Sequence, residues 1–416
     1  MERPEHKKKR LLVVFSHNHI GGAMTALVNF VNSLDPRRYQ VDLLFYELRG
    51  PVEGIRPEVR VLPPARENRL CSARFLDPVY LAGYLGARYL IRAKHNELLA
   101  WQLFSRRSCR YARRLNQKYD AALAFELGWP FYYTMRYVRA DKKLVWHHND
   151  YHAIGYRFEW DKKYFDRADG LVFVSRECRS KFAALHPAYR SRCFFMPNIL
   201  TREQVEARAR AYRPRLPFEL ARPGLNLVTV ARIYFATKGL DRVLEVLVRL
   251  REEGLLERVR WLVIGKGDDL PRFRQMIADR GLEQVVYPVG AMENPLPYLP
   301  LFDAFLLPSR NEGRPVAVTE AQILGLPPVV TRYASAAEQV EDGVDGFILE
   351  NQDQALYQGL RDLVLHPEKL DRAREALRRR SYSNQEDIAC FDRILRAVEQ
   401  GGEGGDAHDF GGDAGV

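Results

Sequence analysis

The sequence predicts an α/β protein built from two doubly wound domains. Two series of short apolar runs alternate with stretches of helix-forming residues along the 416-residue chain. Strands that are apolar on both faces and separated by helices are typical of parallel sheets covered on both sides. The first series comprises residues 11–15, 41–45, 121–125, 143–146 and 170–174, and the second comprises 225–230, 260–264, 285–289, 303–307 and 328–330. Two such series in one chain predict two domains.

A charged segment between the two series marks the predicted domain boundary. Residues 201–223 are rich in arginine and contain three prolines, so we expect a linker with a short helix there. The N-terminal Rossmann-like domain is then predicted over 1–200 and the C-terminal one over 224–380. A helix over 381–400 can return to the N-terminal domain, and the Gly- and Asp-rich tail over 401–416 is predicted to be disordered. Two such domains facing each other leave a central cleft at the carboxyl ends of their strands, where these sheets bind ligands.

Composition and charge exclude several classes of protein. Hydrophobic residues make up 46% of the chain and charged residues 28%, which is typical of globular proteins and not of disordered ones. No uninterrupted apolar run reaches the length of a membrane-spanning helix, and the N-terminus lacks a signal-peptide core, so a cytoplasmic protein is predicted. The five cysteines are scattered without C-x-x-C spacing, which argues against a disulfide framework and a structural zinc site. The formal net charge of +11 suits phosphate-bearing ligands, nucleic acid or an anionic membrane.

Two loops of the N-terminal domain carry candidate binding residues. Gly21 and Gly22 follow the first predicted strand and precede an amphipathic helix. Paired glycines let the backbone approach a ligand, and the free N–H groups of a helix start favour an anion, although an ordinary strand-to-helix turn has the same pattern. The run Trp146-His147-His148-Asn149-Asp150 places imidazole and carboxylate groups at another strand end. Such groups can bind hydroxyls or move protons, and structural histidines are the alternative interpretation.

The C-terminal domain carries cations and carboxylates in comparable loops. Arg232 and Lys238 flank a strand-to-helix loop and suit a diphosphate, or are simply solvated at the surface. The turn Gly265-Lys266-Gly267 ends the next strand and permits close backbone approach. Glu312 and Glu320 lie eight residues apart, and we expect Glu312 in a loop and Glu320 one or two turns into a helix. Two carboxylates at different depths can accept hydrogen bonds from sugar hydroxyls, whereas the alternative is a favourable interaction with the helix dipole.

Together these motifs resemble the retaining glycosyltransferases of family 4, which have the GT-B fold, and in particular the capsular and exopolysaccharide members. The similarity runs in order from about residue 11 to about residue 395. The matching pieces are Gly21-Gly22-Ala23, Trp146-His147-His148-Asn149-Asp150, residues 168–175, Met196-Pro197-Asn198, Arg232 with Lys238-Gly239, Gly265-Lys266-Gly267, residues 294–299, residues 312–327 and residues 335–347.

The resemblance implies a role for each matched position of the C-terminal domain. Arg232 and Lys238 would bind the donor diphosphate and stabilise the leaving group. Glu312 would touch the transferred sugar and Glu320 the ribose hydroxyls, and the backbone over 290–292 would lie near the base. The other substrate-binding positions that the resemblance implies are Gly265, Gly267, Gly290, Met292, Gly313, Arg314 and Pro315.

The N-terminal domain would hold the acceptor and complete the donor site. The resemblance implies that the Gly21-Gly22 loop approaches the diphosphate and that His148 contacts the donor sugar near the reacting centre. Asp150 keeps the family spacing relative to His148, which favours His148 over His147. In the C-terminal domain, Arg314 departs from the family, which usually has an apolar residue there, and would add a phosphate contact or alter the choice of sugar. Met24-Thr25 replaces the charged pair common after the glycines, so the acceptor side matches the family least closely.

The resemblance also implies the reaction. Family members transfer a hexose from a UDP- or GDP-sugar to a glycan or lipid-linked acceptor with retention of configuration, by a front-face mechanism and without a metal or other cofactor. This agrees with a sequence that has no D-x-D motif after a strand and no paired carboxylates of the glycosidase kind. A nucleotide-sugar epimerase of the same fold and a non-catalytic sugar-nucleotide-binding protein are the alternatives.

A basic and aromatic stretch over 88–118 accounts for much of the positive charge. Its pattern predicts peripheral attachment to an anionic membrane surface, and a solvated amphipathic helix is the alternative. Nucleic-acid binding is disfavoured because no recognised nucleic-acid-binding module is present.

Overall fold

The computed structural model describes residues 8–18, 21–66, 95–221, 223–380 and 385–401. The chain forms two compact units, which are described separately. Unit 1 comprises Met1–Ile199 and Glu386–Val416, and unit 2 comprises Leu200–Gln385.

Unit 1 contains a seven-stranded parallel sheet in the order β3-β2-β1-β4-β5-β6-β7. Its strands are β1 Lys9–His17, β2 Tyr39–Glu47, β3 Arg60–Val61, β4 Lys118–Ala124, β5 Arg139–His147, β6 Gly170–Phe173 and β7 Cys193–Phe195. Each of the five apolar runs of the first series overlaps one of these strands, and the runs 121–125 and 170–174 extend one residue past the strand end. Strands buried on both faces are mostly apolar along their whole length. Each residue from Leu11 to Val14 in β1 is wholly buried.

Helices flank this sheet, and one of them comes from the end of the chain. They are α1 Gly22–Ser33, α2 His95–Ser108, α3 Trp129–Tyr137, α4 Phe158–Phe165, α5 Arg176–Leu185 and, later in the chain, α14 Gln385–Gln400. Phe391 of α14 packs edge-on against Phe30 of α1, with their ring centroids 5.1 Å apart. The carboxylate of Asp392 accepts hydrogen bonds from Arg38 and Tyr39. The last helix is therefore part of the core of unit 1.

Unit 2 contains a six-stranded parallel sheet in the order β10-β9-β8-β11-β12-β13. Its strands are β8 Leu225–Val230, β9 Val259–Ile264, β10 Val286–Gly290, β11 Ala304–Leu307, β12 Pro328–Thr331 and β13 Phe347–Leu349. Its helices are α6 Arg202–Ala209, α7 Phe235–Lys238, α8 Leu240–Glu252, α9 Leu270–Asp279, α10 Val316–Ile323, α11 Ala336–Gln339, α12 Asp353–Leu365 and α13 Glu368–Arg379. Each run of the second series overlaps a strand, and the runs 285–289 and 303–307 begin one residue before it. Trp261 is wholly buried at the centre, where its indole N–H donates to Thr229 Oγ1 at 2.9 Å.

The segment suggested as a linker is structured and belongs to unit 2. Within residues 201–223, α6 is capped by Thr201, whose hydroxyl accepts from the Gln204 N–H at 3.3 Å. Of the basic stretch 88–118, residues 88–94 lie outside the described residues, and so do residues 402–416 of the C-terminal tail. None of the helices that the structure describes combines the length and the apolar content needed to cross a membrane.

Candidate functional site

The predicted site residues of unit 2 follow the carboxyl ends of four neighbouring strands. Strands β10, β9, β8 and β11 are adjacent in the sheet. The segments that follow them carry, in that order, Met292, the pair Gly265 and Gly267, the pair Arg232 and Lys238, and Glu312. Carboxyl ends of parallel strands share one edge of a sheet, where such folds bind ligands. The topology therefore collects these residues at one edge.

Lys238 and Glu312 form a largely buried ion pair at this edge. Lys238 Nζ donates to Glu312 Oε1 at 2.5 Å, and the Ser309 hydroxyl donates to the same oxygen at 2.6 Å. The two charged side chains are only 21% and 7% exposed. The two residues are 74 positions apart in the sequence, and they meet because both follow the carboxyl ends of neighbouring strands. Ser309 is a further partner of Glu312 that the sequence analysis did not single out.

Arg310 connects the Glu312 loop to α7, which ends at Lys238, and to α8, which follows it. Its guanidinium donates to both carboxylate oxygens of Asp241, at 2.9 and 3.1 Å, and to the Phe235 carbonyl at 2.5 Å. Its backbone N–H donates to the Thr237 carbonyl at 2.7 Å. The bidentate geometry is rigid as well as strong. Arg310 was missed from the sequence because a basic residue in a loop is usually solvated.

The Arg232 side chain is exposed on a loop whose backbone is fixed by its neighbour. The Ile233 N–H donates to the Lys266 carbonyl at 3.0 Å. Gly265 and Gly267 permit this approach, because a Cβ at Gly265 would lie 1.8 Å from the Ala231 carbonyl oxygen and one at Gly267 would lie 2.1 Å from that of Ile233. These glycines therefore accommodate the loop that carries Arg232, in addition to any ligand.

Glu320 lies inside α10, as predicted, and is paired with an arginine that the sequence analysis overlooked. Glu320 is 7% exposed, and its Oε1 lies 3.5 Å from Arg208 Nη1 in α6. Burial raises the pKa of Glu320, and the attraction of the neighbouring Arg208 guanidinium offsets only part of this increase. Arg208 is on the segment suggested as a linker, 112 residues earlier in the chain, so no local pattern connects the two.

The segment after β10 is tied to both of its neighbours. The Gly290 carbonyl accepts from the Gly265 N–H at 2.8 Å, and Met292, two residues on, is partly exposed. The Asn294 amide donates to the Arg208 carbonyl at 2.7 Å, and the Tyr212 hydroxyl donates to the Asn294 carbonyl at 2.6 Å. The α6 segment thus borders the positions suggested to lie near the base.

Gly313, Arg314 and Pro315 connect the Glu312 loop to α10. Gly313 is buried, and Pro315 is the residue before the first turn of the helix. Arg314 Nη1 lies 3.6 Å from Glu338 Oε2, and both side chains are about one-fifth exposed. Arg314 therefore contacts a carboxylate of its own unit in this structure.

In unit 1, the Gly21-Gly22 turn begins α1, as expected. The helix starts at Gly22, and the Gly21 carbonyl accepts from the Thr25 N–H at 3.0 Å. Residues 19–20 lie outside the described residues. The two glycines follow the carboxyl end of β1, which is next to β4 in the sheet and two strands from β5.

The two adjacent histidines at the end of β5 differ in their surroundings. His147 is wholly buried and its ring stacks on Phe173, with centroids 4.3 Å apart. Burial lowers the pKa of His147 to about 3 and that of His148 to about 4. His148 is partly exposed, and its Nε2 lies 2.8 Å from the Phe125 carbonyl oxygen. A carbonyl only accepts, so Nε2 carries the proton and Nδ1 of the neutral ring is the acceptor.

Asp150 organises the loop that follows His148. Its Oδ1 accepts from the backbone N–H groups of His152 and Ala153, at 3.0 and 3.3 Å, and its Oδ2 lies 3.9 Å from Lys181 Nζ. An Asp side chain that caps its own turn fixes the backbone locally. Asp150 thus has a structural role in the loop beside His148.

The arrangement in unit 2 combines the groups needed to hold a phosphorylated, hydroxyl-rich molecule. Arg232 and Lys238 supply positive charge, and Glu312 and Glu320 supply acceptors on the loop and helix that follow β11. In a partly buried site such charges act more strongly than in water. In unit 1, His148 supplies a neutral acceptor at its own sheet edge.

Comparisons with known proteins connect unit 2 to one family. Residues 216–380 match the family described as Glycosyl transferases group 1. The chain is 36% identical over 141 residues to the amylovoran biosynthesis glycosyltransferase AmsK of Erwinia amylovora, covering 32% of this chain and 34% of that protein. It is 30% identical over 214 residues to the GDP-mannose-dependent alpha-(1-6)-phosphatidylinositol monomannoside mannosyltransferase of Mycolicibacterium smegmatis, covering 49% of this chain and 54% of that protein. These matches thus span about a third to about half of the relatives' length.

Solved structures extend the similarity to both units at the level of the fold. The crystal structure of Anabaena HepE in complex with UDP and glucose superimposes with a TM-score of 0.65 at 15% identity, covering 94% of this chain and 100% of that one. At this identity the likeness concerns the fold alone. Together with the two parallel sheets, it confirms the predicted α/β class with the two Rossmann-like domains of the GT-B fold.

Proposed function

We propose that this protein is a glycosyltransferase of cell-surface polysaccharide biosynthesis. It transfers a hexose from a UDP- or GDP-sugar to a glycan or lipid-linked acceptor, with retention of configuration. The observation that carries the proposal is the largely buried Lys238–Glu312 pair. It lies at the sheet edge that also carries Arg232, in the segment matched by the glycosyltransferase family. The names of AmsK and of the UDP-bound HepE structure agree with this class of reaction.

Lys238 is suited to the leaving group. When a nucleoside diphosphate departs from the sugar, negative charge builds up on its phosphate oxygens, and a cation fixed nearby stabilises that charge. The ion pair with Glu312 holds the ammonium in place before reaction. Arg232, whose side chain is exposed, adds a second cation. Both residues therefore bind the diphosphate in this proposal.

The two glutamates are suited to hydroxyl groups. Glu312 accepts from Lys238 and Ser309 through Oε1, which leaves Oε2 for a hydroxyl of the transferred sugar. Glu320 takes the ribose hydroxyls, in competition with Arg208, which touches its Oε1. The protonated Nε2 of His148 is engaged by a carbonyl, so its Nδ1 accepts from a donor-sugar hydroxyl as a neutral group.

Retention and independence from metals rest on the resemblance to family 4. In a front-face reaction a phosphate oxygen of the donor assists removal of the acceptor proton, so no protein carboxylate is needed as the base. We propose this course here, with no cofactor other than the nucleotide-sugar substrate.

The test is a donor panel of UDP-, GDP- and ADP-sugars offered to the purified protein, followed by proton NMR. If the protein is a retaining glycosyltransferase, it hydrolyses its donor slowly to free sugar and nucleotide. An acceptor accelerates the consumption of the donor, and the product keeps the anomeric configuration of the donor sugar. Isomerised donor without release indicates an epimerase. Nucleotide binding without either reaction identifies a non-catalytic binding protein, and each of these two results would refute the proposal.

The matched pair Glu312→Gln and Glu283→Gln assigns the site. Glu283 is an exposed glutamate of the same unit, so the two variants carry the same chemical change. We expect the Glu312 variant to lose at least about 100-fold in transfer rate, as for other removed transition-state contacts, and the Glu283 variant to match the wild type. Equal rates in the two variants would remove Glu312 from the site.

A further inference from the structure

Six basic side chains of unit 1 line a single pocket of about 340 Å³. They come from the C-terminal ends of α2, α3 and α4 and from the turns that follow α2 and α4. The lining residues are Arg106, Arg107, Arg110, Arg136, Lys163, Tyr164 and Arg167. No carboxylate is among the described residues that line it.

Aromatic rings hold three of these cations in place. The distances from cation to ring centroid are 5.9 Å for Arg106 over Trp160, 5.1 Å for Arg136 over Tyr137 and 5.4 Å for Lys163 over Tyr164. Cation–π contacts of this kind attract the cation without neutralising it. The pocket is therefore organised while keeping its positive charge.

Helix dipoles account for only part of this charge. Basic residues are favourable at helix C-termini, where each helix carries about half a negative elementary charge. Three such ends supply about one and a half negative charges. The buried carboxylate of Asp161 interacts with Arg106 and supplies about one more. The five basic side chains other than Arg107 that line the pocket still exceed this negative charge. The excess charge is best offset by a bound anion with more than one negative charge.

The pocket lies at the edge of the sheet opposite the predicted site residues of unit 1. Helices α2, α3 and α4 lead into β4, β5 and β6, so their C-terminal ends are at the amino ends of these strands. His148, in contrast, follows the carboxyl end of β5. The pocket is thus a second site of unit 1, separate from the one that the resemblance implies.

We propose that this pocket binds a phosphate group carrying two negative charges or more. Guanidinium groups recognise phosphate oxygens through paired hydrogen bonds, and five of the six cations are arginines. Such a phosphate is either free in solution or presented by a lipid headgroup. The chemistry of the pocket is the same for both, so the experiment has one arm for each.

The test compares Arg110→Ser/Arg167→Ser with Arg190→Ser/Arg372→Ser. All four arginines are exposed, and the second pair is outside the pocket, so both variants lose two charges. One arm measures pyrophosphate binding by calorimetry, with Lys238→Met protein included to separate binding at the proposed donor site. The other measures flotation with phosphatidylcholine vesicles that contain phosphatidic acid. The pocket variant is expected to bind about 25-fold more weakly, about fivefold for each basic residue removed.

The results of the two arms identify the source of the phosphate or overturn the proposal. Pyrophosphate binding that is lost only in the pocket variant identifies a free phosphate ligand, and vesicle binding lost only there identifies a lipid headgroup. Equal behaviour of the two double variants in both arms, or no binding by the wild type, overturns the proposal. The Tm of the pocket variant without ligand is a further check, because relief of repulsion keeps or raises it, whereas a purely structural role lowers it.

Discussion

The Lys238–Glu312 pair allows a quantitative prediction about the stability of unit 2. Replacing Lys238 by Met removes the cation paired with the carboxylate of Glu312, which is 7% exposed and keeps its hydrogen bond from the Ser309 hydroxyl. At 2.5 Å and an effective dielectric constant of about 20, the Coulomb attraction amounts to about 7 kcal/mol, much of it offset by the desolvation of both groups. Removing one partner of a buried pair costs about 3–5 kcal/mol. Because Lys238 is 21% exposed and Ser309 remains, we expect about 3 kcal/mol.

The sign of a second substitution distinguishes this reasoning from simple loss of packing. In the double variant Lys238→Met/Glu312→Gln, no uncompensated charge remains, so we expect the double variant to be about 2 kcal/mol more stable than Lys238→Met alone. Loss of packing would make the double variant less stable. Lys266→Met is the matched control, since Lys266 is exposed in the same unit, and its effect should stay within about 0.5 kcal/mol.

The assay is urea unfolding followed by fluorine NMR of protein labelled with 5-fluorotryptophan. Trp261 is the only tryptophan between residues 200 and 385, and it is wholly buried, so its signal reports the unfolding of unit 2. A free energy of unfolding for Lys238→Met within about 0.5 kcal/mol of the wild type would refute the assigned burial of the pair.

Three further predictions concern pH and backbone packing. Burial raises the pKa of Glu320 and the Arg208 guanidinium lowers it, so Arg208→Ala should raise this pKa further. The loss of UDP affinity on acidification, measured by calorimetry, should then begin at a higher pH than in the wild type. An unchanged pH dependence would contradict this. The pKa values of His147 and His148 are about 3 and about 4 in the folded protein, against an ordinary 6.5, so the fold favours the neutral rings. The unfolded chain therefore binds more protons than the folded one below pH 6.5, and the urea midpoint of unit 1 should fall as the pH is lowered from 6.5 towards 4. A constant midpoint would contradict this. Gly265→Ala places a methyl group 1.8 Å from a carbonyl oxygen and should lower the Tm by about 10 °C, so an unchanged Tm by calorimetry would contradict the close approach.

The sheets could be predicted because burial on both faces leaves a visible mark in the sequence. The strands that were missed either lack this mark or are too short to show it. The strand Arg60–Val61 has two exposed residues at the sheet edge, and Cys193–Phe195 and Phe347–Leu349 are only three residues long. Such short strands form because a neighbouring strand offers hydrogen-bonding groups, which no local pattern records.

The site could be predicted only in part, for a similar reason. Glu312 and Lys238 stand at strand ends, where chain topology alone brings residues together. Arg208 contacts Glu320 because α6 packs against the rest of unit 2. Arg310 forms its ion pair with Asp241, which is 69 residues earlier in the chain. Basic side chains in a chain this rich in arginine do not reveal which of them have a buried partner.

The position of α14 has a consequence for how the chain is made. Unit 2 is inserted into unit 1, since the polypeptide leaves unit 1 after Ile199 and re-enters it at Glu386. On the ribosome, unit 2 is synthesised in full before Phe391 can reach Phe30. The N-terminal part of unit 1 therefore has an incomplete apolar core until α14 is made, whereas unit 2 can already fold. A product truncated before α14 would keep every residue of the proposed donor site and still expose that face, which makes aggregation, not loss of chemistry, its expected defect.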